Sequence, residues 1–155
     1  MIYWFTGQPG AGKTVLAELL KVKLEAPRNF AYKTYRIDGD EMRELFSNKD
    51  YSIKGRISNI DAAQKISHYL HNQGKDVIVS LVSPYLDQRE EFKDKIEWQM
   101  QEIFVHYDIN KTLRGRENYH VLNFQKPIFD YIDIDTTSDA PEESLTKILK
   151  YVKTV

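Results

Sequence analysis

The chain has 155 residues, a formal net charge of −1 and no cysteine, so one domain with a sizeable core is expected. Disulfides, thiolate metal sites and thiol nucleophiles are excluded, and no general basic field calls for a nucleic-acid partner. The apolar start MIYWFT is about six residues long, too short for a signal or a spanning helix, so the cytoplasm is the expected compartment and no membrane partner is expected.

IYWFT (2–6) is a short apolar run rich in aromatic and β-branched residues, which predicts a buried strand. A Gly-rich turn follows, then KTVLAELLKVKLEA (13–26) with helical spacing, ended by Pro27 and Asn29. TYRID (34–38) predicts a second strand and EMRELFS (41–47) a short helix. A longer helix is expected over 56–73, stopped by Gly74. DVIVSLVS (76–83) is a continuous apolar run that suits a central strand buried on both faces. Residues 87–100 read as helix, EIFVHY (102–107) and YIDID (131–135) as strands. The last helix is expected from Pro141 to about Val152, with Pro at its first position. Alternating strands and helices call for a parallel sheet covered on both faces, with ligands beyond the carboxyl ends of its strands.

GQPGAGKT (7–14) fits G-x-x-x-x-G-K-[ST] between a strand and a helix. In that context Gly7, Gly10, Ala11 and Gly12 curl the backbone so that its N–H groups face phosphate oxygens. Lys13 reaches the outer phosphates, and the Thr14 hydroxyl holds Mg²⁺. ATP and Mg²⁺ are the implied ligands. Guanine recognition is not supported: NKTL (110–113) lacks the Asp of Asn-Lys-x-Asp. A large ATPase is not supported either, because VIVSLVSPY ends without an acid.

DGD (38–40) falls at the expected end of the second strand. Asp38 there can orient metal-bound water or take a proton from an attacking hydroxyl, and Asp40 is the expected cap of the next helix. Arg43 sits where it can pin an anionic acceptor. In the 56–73 helix, Ile60, Ala63, Ile66 and Leu70 define the buried stripe, and Arg56 and Asn59 fall on that same side. An inward Arg needs a partner. Either it pairs with Asp38 or Asp40, or it lines a cleft and meets an anionic ligand.

IDGDEMR, YSIKGRISNI and VSLVSPYLDQRE together resemble the adenylyl-sulfate kinases, whose pattern runs LDGDxxR, FSxxDRxxNIRR and ISPYRxDR. The likeness spans Ile2 to about Glu91 and is weaker beyond residue 100. It implies a P-loop NTPase fold of the nucleoside-monophosphate-kinase type: a five-stranded parallel sheet flanked by helices in three layers. It also implies transfer of the γ-phosphate of ATP to the 3′-hydroxyl of adenosine 5′-phosphosulfate. By position, Asp38 is the implied catalytic carboxylate, sharing the metal with Thr14. Asp40, Arg43, Arg56 and Asn59 bind the acceptor, Tyr51 stacks on its base in place of a Phe, and Ser83 and Pro84 shape its pocket. Residues 111–127 are the implied lid. Arg114 and Arg116 in it stabilise the transferring phosphate, and Phe124 clamps the base opposite Tyr51.

The chain departs from the pattern at four places, and its lid reads as shorter than the family's. NIRR is NIDA, with Asp61 and Ala62 for two arginines; Gly55 replaces the Asp before Arg56; Leu86 replaces an Arg; and Arg89 reads as offset. These changes touch the grip on the acceptor and leave the phosphate-transfer residues intact. A cytidine diphosphate-like phosphoramidate is the alternative acceptor. A non-catalytic ATP-binding module and a nucleoside or nucleic-acid end kinase are the further alternatives. The expected partner is a small nucleotide, and a homodimer is left open.

Overall fold

A computed structural model describes residues 1–26 and 33–152. Five strands form one sheet: β1 (Ile2–Thr6), β2 (Tyr35–Asp38), β3 (Val77–Ser80), β4 (Met100–His106) and β5 (Tyr131–Asp135). They lie in the order β2-β3-β1-β4-β5, and every pairing is parallel. Between them run α1 (Lys13–Glu25), α2 (Gly39–Leu45), α3 (Ile53–Asn72), α4 (Leu86–Lys95) and, last, α5 (Pro141–Leu149).

The strands alternate their side chains between two cores, as the period of two requires. Tyr3 and Phe5 of β1 join Leu16, Leu20, Ile103, Val105, Ile134, Leu145 and Ile148 on the α1 and α5 side. Ile2 and Trp4 join Ile37, Met42, Ile60, Val79, Phe92 and Met100 on the α2, α3 and α4 side. That makes three layers. Strand order reverses around β1, whose neighbours are β3 and β4, so the carboxyl end of β1 is the expected crevice. The Gly-rich turn leaves the sheet there.

Several boundaries differ from those expected. The long helix begins three residues early, at Ile53, because the Ser52 hydroxyl caps it by accepting from Gly55 N–H at 3.3 Å. Gly74 does end it, at φ +74°. The helix expected to reach residue 100 stops at Lys95, where Glu97 and Trp98 turn left-handed and start the chain into β4. β4 itself starts two residues early, at Met100. α5 stops at Leu149. The expected stop of α1 at Pro27 and Asn29 lies outside the described residues. Among those described, no helix is long and apolar enough to cross a membrane.

Candidate active site

The cradle follows β1 closely. Gly7 has φ +147°, and a Cβ there would lie 2.0 Å from the Val105 carbonyl oxygen, so β4 itself demands glycine. Gly10 and Gly12 are left-handed, and Gly12 is the N-cap of α1. Lys13 is 9% exposed and donates from Nζ to the Gln8 carbonyl at 2.9 Å. Burial lowers its ammonium from 10.5 to about 8; Asp38 and Asp40 pull the other way, and Arg116 adds to the fall.

Asp38 ends β2, held in register with Ser80 of β3. Its Oδ2 accepts from Thr14 Oγ1 at 3.2 Å and Ser80 Oγ at 3.0 Å, and lies 3.5 Å from Arg36 Nη1. Its Oδ1 accepts from Asp40 N–H at 3.0 Å. Asp38, not Asp40, is therefore the cap of α2; Asp40 stands exposed in the first turn. The reason is geometric: the N-cap is the last extended residue, and Asp38 holds φ −112°. A carboxylate met by this many donors is suited to orienting a neighbour, and the Thr14 hydroxyl with the Asp38 carboxylate is a pair of hard oxygens that fits Mg²⁺. No cluster of three or more acidic or His side chains among the described residues makes a protein-only metal cage. A cation held here would take its remaining ligands from water and phosphate oxygens, as Mg²⁺ commonly does.

The residues expected to bind the acceptor divide. Arg56 is half-buried, and its guanidinium has neither hydrogen-bond nor ion-pair partner among the described residues. The expected alternative of a pair with Asp38 or Asp40 is not what the structure shows. Asn59 is 6% exposed; Nδ2 donates to the Gly39 carbonyl at 3.3 Å and Oδ1 is buried without a partner. It lines a cleft of about 420 Å³ with Phe46, Asn48, Asp50, Gly55 and Ala62. Gly55 is imposed by this loop, since a Cβ would lie 2.1 Å from the Asp50 carbonyl oxygen.

Arg43 is partly committed: Nη1 donates to the Asn48 and Asp50 carbonyls at 3.2 and 2.9 Å, and its guanidinium stacks 4.0 Å from the centre of the Tyr51 ring. It thus braces the loop that carries Tyr51, which is exposed and free to stack. Asp61 pairs outward with Lys65 at 2.7 Å, so of the two missing arginines only the position of Ala62 borders the cleft.

Three residues expected at the site have partners within the fold. Ser83 is buried, with φ +45°, and its Oγ accepts from Trp4 Nε1 at 3.0 Å. With Pro84 it shapes the strand end through the backbone, its hydroxyl already engaged. Phe124 stacks on Phe104 at 5.8 Å and under Arg89, and has no ring contact with Tyr51. Arg114 is anchored behind the cradle: its guanidinium donates to the carbonyls of Gly10, Ala11 and Thr136 and to Thr136 Oγ1. Those bonds leave Arg116 as the cation of this segment whose charge reaches Lys13. Arg89 is also not offset; VSPYLDQR and ISPYRxDR end on the same Arg, and Gln88, like Leu86, is a residue that differs. It is buried, with Nε 2.6 Å from Glu102 Oε1.

Sequence reasoning missed Ser80, Arg36, Gln8 and Thr136. Ser80 alone left a signal, a polar residue closing an apolar strand. Gln8 and Thr136 meet their partners through long-range contacts that no local pattern encodes, whereas Arg36 pairs with the nearby Asp38 and Glu41 and with Glu18 of α1.

The family described as adenylylsulphate kinase matches residues 1–144. A cytidine diphosphoramidate kinase of Campylobacter jejuni is 30% identical over 146 residues, covering 93% of this chain and 83% of that protein. An adenylyl-sulfate kinase of Thermodesulfovibrio yellowstonii is 29% identical over an alignment of 173 residues, covering 98% and 83%. The structure of the Mycobacterium tuberculosis APS kinase CysC in complex with AMPPNP and APS shares the fold, with TM-score 0.77, 19% identity and coverage of 96% and 95%.

Proposed function

This chain belongs to the adenylylsulphate kinase family, ATP-dependent phosphotransferases that act on a hydroxyl, and we propose that it phosphorylates the 3′-hydroxyl of adenosine 5′-phosphosulfate. The contact between Thr14 and Asp38, 3.2 Å apart, carries the reading. It joins the phosphate cradle to the acceptor side of the crevice through a hydroxyl and a carboxylate. Bound between them, Mg²⁺ would neutralise charge on the transferring phosphate.

The protein's own residues do the rest. The cradle's N–H groups and Lys13 hold the phosphates, and Arg116 adds positive charge beside them. Asp38 orients the acceptor hydroxyl. Tyr51, braced by Arg43, stacks on the base, and the unpartnered Arg56 meets the acceptor's anionic bridge. The segment 111–127 serves as the lid of this single kinase domain. Phe124 acts as a support for the lid base, and Arg114 holds the cradle in shape.

A second acceptor is favoured by a specific observation. Ala62 borders the cleft where the family pattern carries an Arg, and the similar Campylobacter jejuni protein is a cytidine diphosphoramidate kinase. A cytidine diphosphate-like phosphoramidate offers the same anionic bridge and 3′-hydroxyl. An acceptor screen with Mg-ATP separates these readings. Adenosine 5′-phosphosulfate, cytidine diphosphoramidate and plain nucleosides are compared, and the phosphorylated position is read by NMR. A 3′-phosphorylated adenosine phosphosulfate is expected. Turnover of the cytidine ester alone transfers the assignment to the second reading, and turnover of plain nucleosides at equal rate removes both.

A further inference from the structure

Three consecutive cradle residues hold the segment that follows β4. Gln8 holds Val121, the Pro9 carbonyl accepts from His120 Nε2 at 3.0 Å, and the Gly10 carbonyl accepts from Arg114 Nη1 at 3.1 Å. Of the three, Gln8 alone uses its side chain, at a position that G-x-x-x-x-G-K-[ST] leaves open. Its amide forms a reciprocal pair with the Val121 backbone: Nε2 donates to the Val121 carbonyl at 2.7 Å, and Val121 N–H donates to Oε1 at 2.8 Å. Two opposed bonds to one residue set both direction and register, as in a hydrogen-bonded strand pair. Val121 is buried, so water is poorly placed to replace these bonds. The Gln8 carbonyl meanwhile accepts from Lys13 Nζ at 2.9 Å.

Arg116 depends on this register. Its Cβ lies 3.1 Å from where a Cβ on Gly10 would stand, so the chain presses directly on the cradle there. Its guanidinium has no hydrogen-bond partner among the described residues and faces the Tyr119 ring at 5.4 Å. Tyr107 steadies the same turn by donating to Glu117 Oε1 at 2.9 Å. Arg116 thus stands against Gly10 of the cradle as a cation without a hydrogen-bond partner among the described residues, placed by contacts that other residues make.

We propose that Gln8 is a positioning residue for phosphoryl transfer, its amide docking residues 114–121 on the cradle in the register that sets Arg116 against Gly10. The docking is a property of the fold; its effect on turnover rests on the kinase reading above. The side chain touches no reacting atom and acts through Arg116.

The test is a double-mutant cycle of Gln8→Ala and Arg116→Ala. Turnover is measured with Mg-ATP and whichever of adenosine 5′-phosphosulfate and cytidine diphosphoramidate the parent phosphorylates. Gln8→Ala is expected to lower kcat about tenfold with KM for ATP within about twofold, and to change kcat less than about twofold once Arg116 is Ala. A tenfold loss in both backgrounds overturns the proposal, as does a raised KM for ATP with kcat kept. Hydrogen exchange supplies a readout that needs no acceptor. Mg²⁺ with a non-hydrolysable ATP analogue should slow exchange over 114–121 in the parent and fail to do so in Gln8→Ala. Equal protection in the two overturns the clamp. If the parent phosphorylates neither acceptor, the substrate reading fails and the exchange result still decides the clamp. Should Gln8→Ala not fold, Gln8→Glu carries the same comparisons, because it keeps the acceptor and loses the donor.

Discussion

Replacing Lys13 with Met is expected to abolish phosphoryl transfer and, at neutral pH, to make the free protein more stable. Burial lowers the Lys13 ammonium from 10.5 to about 8 despite the attraction of Asp38 and Asp40. That fall corresponds to about 3 kcal/mol held against the charged form. The unfolded chain keeps the proton up to its ordinary 10.5, and the folded one only to about 8. Between those values the unfolded state binds more protons, so stability rises with pH. The penalty is complete below pH 8 and gone above pH 10.5. Met fills a similar volume without charge and forfeits the bond from Nζ to the Gln8 carbonyl, worth roughly 1.5–3 kcal/mol for a charged donor. A net gain of about 1 kcal/mol remains at pH 7, a Tm rise of roughly 2–4 °C for a chain of this size. Urea unfolding of parent and variant at pH 7 and pH 10 checks it, with the parent gaining on the variant by about 2 kcal/mol or more across that interval. A difference that does not move with pH refutes the picture of a desolvated ammonium, and retained transfer refutes the role of Lys13.

Asp38→Asn keeps the cap on Asp40 N–H and removes the charge beside Thr14. It should lower turnover about 10²–10⁴-fold with ATP binding by calorimetry little changed; normal turnover dismisses Asp38 from the reaction. Glu102→Gln strips the shared carboxylate from Arg89 and Lys93, all three buried, with Lys93 Nζ 2.6 Å from Glu102 Oε2. A loss of about 3–5 kcal/mol in urea unfolding is expected, and a loss under about 1 kcal/mol shows that Glu90, 2.9 Å from Lys93, suffices. Arg114→Ala removes the guanidinium that ties Gly10, Ala11 and Thr136 together. It should weaken ATP binding with kcat largely kept, and a selective fall in kcat returns Arg114 to the phosphate.

The site was legible in part, and the division follows the range of the interactions. Gly7, Gly12, Lys13 and Thr14 lie within one turn, where a strand, a tight bend and a helix start leave a local pattern. Asn59 was legible as an inward polar residue because helical spacing is itself local. Arg114 and Arg116, two residues apart, were given one role from sequence, and the structure separates them. The acceptors that claim Arg114 come from α1's cap region and from Thr136, more than 20 residues away on either side. Phe124 is expected opposite Tyr51 by resemblance alone, and the structure adds the stacking on Phe104, 20 residues earlier, that local sequence does not show. Asp40 lost the cap to Asp38 by the strand's actual end, a boundary that a one-residue shift reverses.

The sequence by itself determined the fold class, the phosphate cradle and the carboxylate at the end of β2. Each follows from periodicity or from residues adjacent in the chain, where the backbone leaves few alternatives. Only the tertiary structure decided which cations remain free. Arg56 and Arg116 have no hydrogen-bonding partner among the described residues, Arg43 is half-committed, and Arg89 and Arg114 are fully engaged. A guanidinium's use depends on which carbonyls and carboxylates the packed sheet brings within about 3 Å of it, and residue order does not carry that distance.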